Sequence, residues 1–320
     1  MKQVITMKLV LGIDGGGTKT EAIALDHNGG LLLRLTGEST NPHAITFPKA
    51  MRNLGALLDA LLEAPELKGL DWTTAALGLS GVSTEEEQQA VYRYLQEFQK
   101  ERGVAFDVSL LHDAQIALMA TLEREEGIIA ISGTGSILFG LTPEGKRYRV
   151  GGWGHLLGDE GSGYDIGLRT LKTIMRHYDG IAPATGLTEL VLEAYGFSSP
   201  TELKPYIYKD SVQKSDIAKF AQICIEASEK GDKTAARILL QAAGELADAA
   251  IALIGKDQWF ESCDLVTTGS IFSHSSFFSR LFQEKVTAAY PKITVHSSVQ
   301  SPAYGAALLA LKRYREHMSL

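Results

Sequence analysis

Apolar and polar positions change rhythm sharply near the start of the chain. Residues 9–13 form an apolar run that ends at Asp14; three glycines and Thr18 follow, and a second, alternating run occupies 20–25. An apolar run before glycines and an alternation after them predict two antiparallel strands and a tight turn. Asn28-Gly29-Gly30 predicts a second hairpin, into a strand over 31–37. The segment 38–43 is polar and irregular, and helical spacing begins near residue 49 and runs to 63. A small-residue strand is expected over 73–81. The next helix is opened by Ser83 with Glu86, or Thr84 with Glu87, as a capping box, and closed by Lys100, Arg102 and Gly103. A strand over 107–111 and a helix over 114–123 complete a βββαβαβα order.

The opening pattern then returns. Residues 127–132 are an apolar strand, Gly133-Thr134-Gly135-Ser136 is a second glycine–hydroxyl turn, and 137–141 is the strand after it. Two such loops, each opening a βββ series, imply duplicated α/β domains. Between Gly151 and Gly163 glycines are too frequent for a regular element, and Trp153, His155, Asp159 and Glu160 lie among them. Such a loop is suited to surround something small and polar. Residues 164–255 read as helical, with 214–229 and 234–254 separated at Gly231-Asp232. A strand over 264–268 leads through Gly269-Ser270 towards a helix, and a last strand spans 292–297. The final helix, 302–315, begins with Ala303, Gly305, Ala306 and Ala307, small enough to lie against another backbone and cross between domains. Residues 1–7 read as a short extension or as the start of the first strand.

Composition narrows the function classes. The 320 residues allow one large or two ordinary domains, and 22% charged with 45% apolar residues is the balance of a water-soluble globular chain. A formal net charge of −7 without a basic stripe argues against a nucleic-acid partner. Cys224 and Cys263 form no C-x-x-C pair, which excludes a cysteine zinc or iron–sulfur site and points to a reducing compartment. No cleavable leader or spanning segment is read, so a cytoplasmic location and no membrane partner are expected. His177 and His274 lack metal-ligand spacing.

The chemistry centres on the turns. Glycine reaches positive φ and lets backbone approach a ligand, and free amides in a turn bind anions. Thr18 and Thr20 add hydroxyls, and Asp14 can hold a hydrated cation. The spacing is not that of a Walker loop, and a strand rather than a helix follows the glycines, which excludes a dinucleotide fingerprint. Asp113 lies at the carboxyl end of a strand, where α/β sheets keep ligands, but it can equally be the N-cap of the helix after it.

DGGGTKTE, STN, SGTGS, GGWGH with GDEGS, and TGSIF, in this order, resemble the N-acetylglucosamine kinase branch of the BadF/BadG-type ATPases, within the actin, sugar kinase and Hsp70 superfamily. The resemblance covers nearly the whole chain. It implies two RNase H-like domains with a central cleft: 1–118 with 302–320, and 119–301 with a helical insertion. It implies Mg2+- and ATP-dependent phosphorylation of an amino sugar at its 6-hydroxyl, by a homodimer. Gly15, Gly16, Gly17, Thr18 and Lys19 would take phosphate with Asp14 on magnesium through water. Gly133, Thr134 and Gly135 would form the second phosphate loop, and Gly269 and Ser270 would lie under the nucleoside. Asn41, Ser136, Gly152, Trp153, Gly154 and Asp159 would contact the sugar, and Asp113 would be the base. The chain departs from the family at His112-Asp113-Ala114-Gln115 and lacks the cysteines of the iron–sulfur relatives. Glucosamine, N-acetylmuramic acid and N-acetylglucosamine are not separable at this level. A sugar-sensing regulator that no longer phosphorylates is the competing class, though no DNA-binding module is read.

Overall fold

Residues 7–318 are described by a computed structural model, and they divide into two compact units. Of the expected extension at 1–7, residues 1–6 lie outside the described residues. One unit takes the chain to Glu126 and again from Ser298; the other is continuous, Gly127–Ser297. A break at 118, as expected from sequence, would cut a helix.

In the first unit β1 (Lys8–Gly15), β2 (Lys19–Asp26) and β3 (Leu31–Glu38) form an antiparallel meander. Helix α1 (Phe47–Glu63), strand β4 (Asp71–Leu79), helix α2 (Glu85–Arg102), strand β5 (Asp107–Leu111) and helix α3 (Asp113–Leu122) follow. β4 and β5 add parallel to β1, giving the order β3-β2-β1-β4-β5. β1 is buried on both faces. Leu9, Leu11 and Ile13 enter a core with Leu54, Leu58 and Leu95, while Val10 enters another with Ile116 and Leu309. The capping box that opens α2 is Thr84 with Glu87, and Gly103 closes the helix in the left-handed conformation.

The second unit repeats the plan. β6 (Gly127–Ser132), β7 (Ser136–Leu141) and β8 (Arg147–Gly151) are antiparallel. A helical insertion follows: α4 (Gly163–Tyr178), α5 (Leu187–Tyr195), α6 (Leu203–Ile207), α7 (Lys214–Ala218), α8 (Phe220–Glu229) and α9 (Lys233–Ile254). The helix expected over 214–229 is thus two, α7 and α8. β9 (Asp264–Thr268), α10 (Ser270–His274), α11 (Ser276–Ala289) and β10 (Thr294–Ser297) then complete the sheet β10-β9-β6-β7-β8. Its strand directions match those of the first sheet strand for strand.

The last helix, α12 (Pro302–Met318), belongs to the first unit. A Cβ on Gly12 of β1 would lie 2.1 Å from the Ala307 nitrogen, and one on Gly305 would lie 1.9 Å from the Ile116 carbonyl oxygen of α3. Small residues on both sides therefore let α12 touch strand and helix backbone directly. The crossing role expected of it is replaced by packing against β1, β2, β4 and α3 of one unit.

Candidate active site

In the first unit β1 and β2 close on Gly16–Thr18, where the Gly16 N–H donates to the Lys19 carbonyl at 3.0 Å. None of Gly15, Gly16 or Gly17 has positive φ, and neither do Gly133 and Gly135. The left-handed conformation expected from sequence is absent, and of these five glycines it is Gly15 whose packing leaves no room for a side chain. A Cβ on Gly15 would lie 2.2 Å from Thr40 Oγ1 and 2.6 Å from Leu79 Cδ2. Thr20, read as a ligand donor, is buried and gives its hydroxyl to Thr40 Oγ1 at 3.0 Å.

The polar loop after β3 is tied to this turn. Ser39 Oγ donates to the Gly16 carbonyl at 2.9 Å, and Asn53 Nδ2 donates to the Ser39 carbonyl at 2.7 Å. Asn41 Oδ1 accepts the His43 N–H at 2.8 Å, and its Nδ2 is 3.8 Å from where a Gly17 Cβ would be. The amide of Asn41 is thus fixed with its donor beside the turn. From β4, the Ser80 N–H donates to the Gly15 carbonyl at 2.8 Å, and Ser80 Oγ reaches Asp113 Oδ2 at 3.5 Å. Asp14, the Gly15–Lys19 turn, Asn41 and Asp113 therefore gather at the carboxyl-end edge of the parallel strands β1, β4 and β5, where α/β sheets present ligands.

Asp113 is not the cap of α3. His112 is, with Gln115 completing a capping box, and Asp113 is the first helical residue. Its Oδ1 accepts the Ala114 N–H and lies 2.8 Å from His112 Nδ1. Burial raises the Asp113 carboxyl, but the hydrogen bond and charge of His112, the Ala114 amide and the Ser80 hydroxyl outweigh it and hold it below the ordinary aspartate value. Asp14 shows the reverse. Burial first, then the negative charges of Asp113 and Glu21, push it up to about 7, with Lys19 opposing. No hydrogen bond or ion pair reaches its carboxylate among the described residues.

In the second unit Gly133–Gly135 joins β6 to β7, and the Gly133 N–H donates to the Gly135 carbonyl at 2.9 Å. The glycine-rich loop after β8 is laced to it. Ser132 Oγ donates to the Gly161 carbonyl, Ser136 Oγ to the Glu160 carbonyl and the Gly163 N–H to the Gly133 carbonyl, each at 2.7 Å. Asp159, only 3% exposed and at φ 66°, accepts the Ser136 N–H at 3.2 Å and pairs with Lys214 Nζ at 2.5 Å. Gly269, with φ 104°, abuts the end of β6, since a Cβ there would lie 2.2 Å from the Ser132 carbonyl oxygen. Ser270 follows as the start of α10. Gly152, at φ 70°, presses on Ile137, and Gly154 is also left-handed. Trp153 is 64% exposed, with the Arg149 guanidinium 4.0 Å from its ring centre.

Each unit thus collects its own share of the expected residues around one glycine turn. Sequence reasoning missed Ser39, Ser80, His112 and Lys214. A His-x-x-Gln pair at a strand end signals the His112 cap, but histidine is an uncommon capping residue. Lys214 had no local signal, because its partner stands 55 positions away. Among the described residues no three His, Cys, Asp or Glu side chains form a metal-holding group, and no helix is long and apolar enough to cross a membrane.

Comparison with known proteins gives three findings. The model of the BadF/BadG/BcrA/BcrD ATPase family matches residues 11–310. An N-acetylmuramic acid/N-acetylglucosamine kinase of Clostridium acetobutylicum is 32% identical over 95% of this chain and 98% of its own, and an N-acetyl-D-glucosamine kinase of Dictyostelium discoideum is 33% identical over 96% and 99%. A solved Chromobacterium violaceum structure, described as a candidate N-acetylglucosamine kinase, shares the fold with a TM-score of 0.70, at 24% identity over 95% of this chain and 99% of that one.

Proposed function

The chain belongs to the BadF/BadG/BcrA/BcrD ATPase family, and from that premise we propose that it is a kinase transferring phosphate from ATP to the 6-hydroxyl of N-acetylglucosamine. The observation that carries the reading is Asp113. It stands ionised beside the first glycine turn, in a chain that shares about a third of its residues with two amino-sugar kinases along nearly its full length.

Phosphoryl transfer mostly needs positioning and neutralisation of charge. In this reading the Gly15–Lys19 and Gly133–Gly135 turns bind phosphate, with Gly269 and Ser270 at the nucleoside. Asn41, its Oδ1 already engaged, offers Nδ2 to a sugar hydroxyl. Ser136, Gly152, Trp153 and Gly154 complete the sugar side. Asp159 is buried against Lys214, so its contribution is to hold the turn from behind. Asp113 accepts the 6-hydroxyl proton. A carboxylate held below its ordinary pKa is a weak base, which suffices when the proton leaves late, as a loose transition state allows.

Asp14 fits a divalent cation. A carboxylate raised to about 7 by burial, and further by two neighbouring acids, regains its charge when a cation arrives. Magnesium keeps most of its waters and is commonly held by one or two carboxylates plus substrate phosphates, so the lack of a three-ligand protein cluster among the described residues accords with it. Bound there, Mg2+ would neutralise charge developing on the phosphates. A cytoplasmic homodimer remains part of the proposal, and two buried cysteines that form no disulfide support the compartment.

The name carried by the Clostridium acetobutylicum relative favours N-acetylmuramic acid as a second substrate. ATP consumption by the purified protein against N-acetylglucosamine, N-acetylmuramic acid, glucosamine and glucose separates the readings. The highest kcat/KM is expected with N-acetylglucosamine. ATP consumption that no sugar stimulates, in a folded nucleotide-binding protein, would overturn the kinase assignment and favour the regulator.

A further inference from the structure

We propose that Lys214 is a phosphate-binding residue of the second glycine turn and that Asp159 is the residue that positions it. The inference rests on the nucleotide reading above and adds to it a cation that no local motif announces.

Three observations converge. Lys214 Nζ lies 2.8 Å from where a Cβ on Gly135 would be, so the ammonium sits directly on the glycine turn. It pairs with Asp159 Oδ2, whose other oxygen accepts the Ser136 N–H of the same turn. Lysine, carboxylate and turn amide therefore form one rigid unit. Finally, the two charges differ in access: the Lys214 side chain is 30% exposed, while that of Asp159 is 4% exposed. An ammonium has three donors and the pair uses one. The exposed side of the pair is thus the cation with donors to spare, beside backbone that a bulkier residue would cover.

A buried carboxylate without a partner is unfavourable, and the lysine supplies the compensating charge. Yet compensation alone would be served by a lysine approaching Asp159 from any side. Lys214 approaches across Gly135, where it reaches the outer face of the turn. The ligand class that fits is the polyphosphate of a nucleotide, for which lysine acts as a compact point charge. Lys214 stands on α7, within the helical insertion that only the second unit carries. The insertion therefore brings the second turn a cation from a distant part of the chain, where the first turn has Lys19 next to its own glycines. In the other turn Lys19, at the start of β2, has no ion pair with Asp14.

The test is ADP and ATP binding by calorimetry, with thermal melting measured on the same preparations. Lys214→Met leaves Asp159 unpaired and can disturb folding, so Lys214→Met combined with Asp159→Asn is the decisive variant, and Lys214→Arg is the conservative control. Loss of one charge-assisted phosphate contact should weaken nucleotide binding on the order of 10- to 100-fold in the double variant. Lys214→Arg should retain most of the affinity. A folded double variant that binds ATP as tightly as the parent would show that Lys214 only neutralises Asp159, and would overturn the proposal. A parent protein that binds no nucleotide at all would instead remove the function on which the proposal rests.

Discussion

The two glycine turns close equivalent hairpins in equivalent sheets, but their electrostatic settings are opposed. Around the first, Asp14, Glu21 and Asp113 concentrate negative charge, and burial together with the charges of Asp113 and Glu21 raises the Asp14 carboxyl to about 7. Around the second, the one buried carboxylate, Asp159, is neutralised by Lys214. The acids of the first turn stand on β1, β2 and α3, whereas the charged pair of the second, Asp159 and Lys214, comes from the segment between β8 and β9. Duplication preserves the backbone turn, while the insertion of the second unit adds the cation that pairs with its buried carboxylate.

The largest expected effect tests whether reaction chemistry belongs to the acidic turn. Asp113→Asn keeps a side chain that can accept the Ala114 N–H, and His112 remains as the cap, so melting should stay within a few degrees of the parent. Turnover should fall on the order of 10²–10⁴-fold, because the amide cannot take the sugar proton. Steady-state kinetics and melting on one preparation check this. A folded variant with near-parental kcat would move the base elsewhere.

A smaller effect probes the strain of the acidic turn through pH. The Asp14 carboxyl has a folded pKa of about 7 against an ordinary 3.8. Between these values the unfolded chain loses this proton while the folded chain keeps it, so the group destabilises the fold increasingly as pH rises from 4 to 7, and fully above 7. Asp14→Asn removes the penalty. Its melting temperature should match the parent near pH 4 and exceed it at pH 8, by an amount worth about 1–2 kcal/mol after allowing for partial solvation. A melting difference that stays constant from pH 4 to 8 would contradict the raised carboxyl.

A third effect, similar in size to the second, sharpens the contrast between the glycines themselves. A methyl added at Gly15 would enter between the buried Thr40 and Leu79, which leave no room, so Gly15→Ala should destabilise by roughly 1–3 kcal/mol. The corresponding methyl at Gly135 meets the ends of two polar side chains, Lys214 and Asp159. Gly135→Ala should therefore melt nearly as the parent while its ATP affinity declines several-fold, as calorimetry would read. Equal melting losses would mean that both turns are packed alike.

Much of this arrangement is legible in the sequence. The apolar runs on either side of DGGGT and SGTGS announce both hairpins, and Thr84, Glu87 and Gly103 mark α2 correctly, because strand alternation and helix capping are local effects. The reason for the glycines is not legible. Their neighbours Thr40, Leu79 and Lys214 come from other parts of the chain, so a steric demand looks like a torsional one. Asp113 reads equally well as cap or base until the structure gives the cap to His112. The pairing of Asp159 with Lys214 spans the insertion, and nothing local to either residue signals it.

The contact of α12 with β1 also has a consequence for biosynthesis. Gly12 and Val10 are made long before the backbone and side chains that cover them, which belong to Ala303, Ala307 and Leu309. During translation the whole continuous unit, 127–297, is synthesised before those residues exist. The first unit to be started is therefore the second to be completed. Until α12 arrives, Val10, Ile23, Ala76 and Ile116 form an apolar face without its final cover, and the nascent chain carries that face past a neighbour able to finish folding on its own contacts.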